Sequence, residues 1–128
     1  AAAQRVAMQW SVRINEAYQR LKDPIRRASY ICELNGAPLN AENNTAMPGA
    51  FLMQQMEWRE ALDDARDIAA VEVLQEDVET TRARALSSLD WLIDEKGDYP
   101  GAVQQVRALM FIERFSQDVE TKLDQLGQ

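Results

Sequence analysis

The sequence predicts an all-α protein: a helical pair, a connecting loop, then an antiparallel three-helix bundle. Three observations lead there. Apolar residues recur at i, i+3 and i+4 through most of the chain, and no run alternates with the two-residue period of a strand. Proline or glycine falls at most of the places where the helical period breaks, often beside an Asp or Asn suited to capping. With 128 residues, 46% hydrophobic and 27% charged, the chain has enough apolar matter to bury a core and enough charge to solvate its surface.

The first helix is predicted over residues 1–21, where Ala3, Val6, Ala7, Trp10, Ile14, Ala17 and Leu21 form one stripe. Asp23-Pro24 supplies an N-cap and a first-turn proline for a second helix, and Asn35-Gly36 supplies its stop. In that second helix Ile25, Ala28, Tyr30, Ile31, Cys32 and Leu34 run most of the way round, which predicts a helix lying between two packed units. Residues 36–49, GAPLNAENNTAMPG, are rich in turn formers and read as a loop. The domain division is accordingly 1–36, a connecting loop at 37–49, and 50–128.

The next helix, from Phe51 to about Asp67, has two apolar faces. At ~100° per residue Phe51, Trp58, Leu62 and Ala65 share one side, enough to dock it on a core. Leu52, Met53 and Met56 point the other way, among Glu60, Asp63 and Asp64. One helix of a small domain needs one buried face, so the second is a candidate binding surface. Methionine suits such a surface because its thioether chain is flexible and polarizable. The bland alternative is that the N-terminal pair covers it.

After a break around Asp67–Ala70, a long helix is predicted to about Lys96, with Val71, Leu74, Val78, Ala85, Leu89 and Leu92 as its core stripe. Gly97 stops it and Pro100 starts the last helix, whose stripe is Ala108, Ile112, Phe115, Val119, Leu123 and Leu126. Phe111 lies about 80° off that stripe, where it either extends the Leu52–Met53–Met56 patch or fills the edge of the bundle. Met110 lies further off. Trp91 is off its own stripe, with no evident role.

Charge is segregated. Residues 1–50 carry a net +2, residues 51–79 a net −7 and residues 80–128 a net −2, so the whole excess of the −7 chain sits on and just after the two-faced helix. Such a chain disfavours direct nucleic-acid binding and anionic membranes. An acidic rim around an apolar patch suits a basic-rimmed protein partner.

Little here suits catalysis or metal binding. Cys32 is the one cysteine and there is no histidine, so the chain alone holds neither structural zinc nor an iron–sulfur cluster, and no cofactor is expected. No serine or cysteine triad, phosphate loop or metalloprotease motif occurs. Glu57/Glu60 and Asp63/Asp64 stand at pairing distance on a helix, but a solvated face explains them. Arg82 and Arg84 point apart. A cytoplasmic, non-enzymatic protein is expected. Two other classes stay open at this point: a self-associating helical protein that uses the patch homotypically, and a small all-α enzyme.

The residues Ile14-Asn15-Glu16-Ala17-Tyr18, Leu21-Lys22-Asp23-Pro24, Arg26-Arg27 and Tyr30 resemble the tail of a J-domain. Residues 51–64, with Arg107, Leu109 and Phe111 in the last helix, resemble the HscB-type J-domain co-chaperones of bacterial iron–sulfur cluster assembly. The resemblance runs from the late J-domain to the chain's end. It implies that residues 1–36 are the C-terminal part of a J-domain and that residues 50–128 are a three-helix scaffold-binding domain. It also implies two partners: an IscU-like scaffold protein, and an HscA-type heat-shock chaperone whose ATPase the J-domain stimulates. Carried over position by position, the scaffold-binding residues are Leu52, Met53, Met56, Glu57, Glu60, Asp64 and Phe111. Met56 stands where the family often has Leu, and Asp64 where Glu can stand; both keep the chemical character. The His-Pro-Asp loop of a J-domain is absent, since the chain has no histidine. The expectation is an N-terminally incomplete chain that keeps scaffold binding but does not stimulate the chaperone, with Val6, Trp10 and Ile14 deprived of their usual cover.

Overall fold

The computed structural model describes residues 2–38 and 47–127, and all of its regular structure is helical. The order is α1 (Ala2–Lys22), α2 (Pro24–Leu34), α3 (Gly49–Asp64), α4 (Ile68–Trp91), a π-helical turn over Leu92–Lys96, and α5 (Tyr99–Leu126). Part of the predicted loop, residues 39–46, lies outside the described residues, as do the side chains of the stripe positions Ala17 and Leu21.

Local chemistry sets the boundaries. The Asp23 carboxylate accepts from the Ile25 and Arg26 amides, with Pro24 in the first turn, and α2 closes at Asn35 before Gly36 at φ 79°. The Asp67 carboxylate accepts from the Ala70 amide at 2.8 Å, which fixes the start of α4 at Ile68. α3 therefore ends at Asp64, three residues before the predicted end, and the break falls at Ala65–Asp67 rather than Asp67–Ala70. The long helix also does not stay α-helical to Lys96. Its last turn widens, Asp98 N–H donates to the Leu92 carbonyl, and Gly97 takes φ 65°. Asp98 then caps α5 by accepting from the Gly101 amide.

The core has two ends. In one, Trp58, Leu62 and Ala65 of the α3 region meet Val71, Leu74 and Val78 of α4 and Ile112, Phe115 and Val119 of α5. In the other, Ile25, Ala28 and Cys32 of α2 meet Leu89 of α4 and Ala102, Val103, Val106 and Leu109 of α5. Leu109 rather than the predicted Ala108 takes the fully buried place, and the stripe Ala102, Val106, Leu109 is a second apolar face of α5. α2 buries a single stripe against this face. Leu34 is 67% exposed, but Tyr30 and Ile31 are half-buried and α2 meets α1 as well as α5, so it does lie between two packed neighbours.

On α1 the stripe residues Val6, Trp10 and Ile14 are exposed. Cys32 is fully buried, its thiol 3.8 Å from the Tyr99 carbonyl, and burial pushes its pKa up. Among the described residues no helix is long and apolar enough to cross a membrane.

Polar links tie the long helices together. Arg82 of α4 pairs with Glu113 of α5, and Trp58 of α3 donates from Nε1 to Asp77 of α4 at 2.7 Å. The Trp58 ring stacks on Phe115 at 5.5 Å between centroids. Trp58→Ala is expected to cost about 3–5 kcal/mol in urea unfolding, from lost packing and an Asp77 without its donor. Cys32 is expected to react with a thiol reagent only on the timescale of unfolding. Its raised pKa favours the folded state fully below the ordinary thiol pKa, and that contribution declines as pH rises past it towards the folded value.

Candidate functional site

α3 presents two opposed faces because its sequence puts apolar residues on two sides of one helix. Trp58 and Leu62 face inward at 4% and 5% exposure. On the far side Leu52 is 47%, Met53 63% and Met56 65% exposed. No described part of the chain covers them, so the N-terminal pair does not take the role of a lid. Glu57, Glu60, Asp63 and Asp64 are all exposed beside them.

The core side of α3 holds the helix in place. Besides the Trp58 ring, Arg59 lies over the Phe115 ring at 4.9 Å and pairs with Asp118 of α5 at 3.0 Å. That pairing draws the one base of α3 towards α5, leaving the carboxylates of the outer face without a neighbouring cation on their own helix. The rim keeps its negative potential.

Phe111 of α5 stands at the edge of this face. Its ring meets that of Phe51, the residue before Leu52, edge-on at 6.0 Å, and it remains 42% exposed. The structure thus brings α3 and Phe111 together, with Met110 beside it at 46% exposure. Arg107 and Leu109, which carried part of the resemblance, are buried and belong to the packing of α5. Sequence reasoning missed the pairs Arg59–Asp118 and Arg82–Glu113. Trp91 stays 52% exposed with Lys96 over its ring at 5.4 Å. Among the described residues no group of three His, Cys, Asp or Glu is placed to hold a metal ion.

Comparison with known proteins agrees with this architecture. The family model for the HSCB C-terminal oligomerisation domain matches residues 47–120. The co-chaperone protein HscB homolog of Bordetella pertussis is 55% identical over 120 residues, covering 93% of this chain and 71% of that protein. The HscB homolog of Burkholderia thailandensis is 46% identical, covering 98% of this chain and 73% of its own length. The solved structure of chaperone HscB from Vibrio cholerae superposes with a TM-score of 0.82 at 32% identity, over 98% of this chain and 74% of that one. The class is that of the non-enzymatic co-chaperones. Within it, this chain belongs to the HscB family, and its role is that of a co-chaperone in iron–sulfur cluster assembly.

The exposed face is separable from the fold. Met56→Glu is expected to shift the unfolding free energy by less than about 0.5 kcal/mol. Leu62→Ala, two turns away on the inward side, is expected to cost about 2–5 kcal/mol in the same denaturant titration.

Proposed function

We propose that this chain grips an IscU-like scaffold protein through Leu52, Met53, Met56, Glu57, Glu60, Asp64 and Phe111. In a protein that also carries the His-Pro-Asp loop, the grip delivers the scaffold to an HscA-type chaperone whose ATPase that loop stimulates. Residues 1–36 are then the C-terminal part of the J-domain, residues 37–49 the connecting loop and residues 50–128 the scaffold-binding domain. The setting is the cytoplasm. The mechanism is tethering, with no chemical step.

One observation carries this: three large apolar side chains stand exposed on a helix whose opposite face is fixed in the core. Burying them against a partner supplies affinity, and the carboxylates steer a basic-rimmed partner into register. The matching family is that of an oligomerisation domain, which favours a second reading in which the same face joins two copies of the chain.

Calorimetric titration with the cognate scaffold tests the first. Leu52→Ala or Phe111→Ala is each expected to cost about 1–3 kcal/mol of binding. Glu60→Ala is expected to cost less and to act partly through a salt-sensitive association rate. Unchanged affinity in the triple alanine variant at Leu52, Met56 and Phe111 would remove the site. Sedimentation decides the second: a dimer of the isolated chain, lost on Met56→Glu, is its signature.

A further inference from the structure

A groove runs between α2 and α5, floored by Ile25 and Val106 and edged by Met110. Its charge is reversed relative to the rest of the molecule. Four cations border it and the hollow that adjoins it: Lys22, Arg26, Arg82 and Arg114. Two carboxylates also line it, and both are occupied. Asp23 accepts from the amides that open α2, and Glu113 pairs with Arg82. Among the described residues no carboxylate pairs with Arg26 or Arg114, and both side chains are exposed. Two free guanidiniums over an apolar floor, in a chain of net charge −7, make a local anion-seeking site.

The groove and the α3 face adjoin neighbouring sides of α5. Phe111 and Met110 are consecutive and point about 100° apart around α5, and Arg114 stands one turn beyond Met110. Around α5, Arg114 lies about 60° and Met110 about 100° from Phe111 on the same side, so a partner lying on Leu52, Met53 and Phe111 has Arg114 and Met110 next to it and Arg26 across the groove.

We infer that the docking surface does not stop at Phe111: it continues over Met110 into the α2–α5 groove, where Arg26 and Arg114 hold a carboxylate-bearing segment of the same scaffold. The inference rests on the scaffold-binding role proposed above. It gives the surface two poles, acidic on α3 and basic at the groove, so a partner with the opposite pair of poles is held in one orientation and a uniformly basic one is not. It also places α2 under the partner, so docking spans both helical units.

The test is titration of the scaffold into the chain carrying Arg26→Glu with Arg114→Glu, beside a control with Arg84→Glu and Lys96→Glu that makes the same charge change elsewhere. All four side chains are exposed, and circular dichroism checks that both variants fold. The groove variant is expected to bind roughly tenfold more weakly at low salt, with the control within about twofold of the parent. Amides of α2 are expected to gain protection from hydrogen exchange when scaffold binds the parent. Equal loss in both variants, or an unchanged groove variant, would overturn the groove while leaving Leu52 and Phe111 to be judged by their own alanine variants.

Discussion

The Trp58 ring is the contact on which the rest of the architecture depends. It lies flat against Phe115 of α5 and donates its one N–H to Asp77 of α4, so three helices are referenced to a single rigid side chain. A stacked aromatic pair fixes distance and tilt, and the 2.7 Å hydrogen bond fixes rotation about the helix axis. Turn α3 by one residue and Trp58 leaves its slot while Met56 or Glu57 swings towards the core. The orientation of the outer face is therefore a by-product of how the inner face is bolted. Arg59 adds a second fastening beside the first, through Phe115 and Asp118.

The same economy shapes the electrostatics. Two arginines of the bundle are drawn into links between helices, Arg59 to Asp118 and Arg82 to Glu113, while the acids of the outer α3 face stay in solvent. Exposed ion pairs of this kind add little stability, about 0–1 kcal/mol each. Their larger effect is on the field: they withdraw cations from one side of the molecule and leave that side negative. α5 is the divider. One end packs on α3 and α4, the other on α2, and its exposed strip joins the two surroundings.

Much of this was legible in the primary structure because it depends on spacing within one helix. The opposition of Trp58 and Leu62 to Leu52, Met53 and Met56 follows from the 3.6-residue period, and Asp23-Pro24, Asn35-Gly36 and Gly97 announce their turns by capping and left-handed backbone chemistry. What escaped depends on register between helices. Nothing in the local sequence of Arg82 points to Glu113, 31 positions away, and Ala102, Val106 and Leu109 become core only because α2 lies against them. The π-turn at Leu92–Lys96 was also hidden, since it changes the ring size of the backbone hydrogen bonds without changing the residue types. Phe111 sat between the two cases: its offset from the stripe was visible, and its contact with Phe51 needed the fold.

The sealed thiol of Cys32 also has a chemical consequence. An accessible thiolate binds soft metal ions and reacts with oxidants. This sequence has no imidazole, and its one thiol is enclosed between α2 and α5 with its proton held on by burial. The exposed face of α3 presents hydrocarbon, thioether and carboxylate, and no thiol. Soft metal ions and oxidants that attack free thiols therefore find no open thiolate on the described surface of this chain.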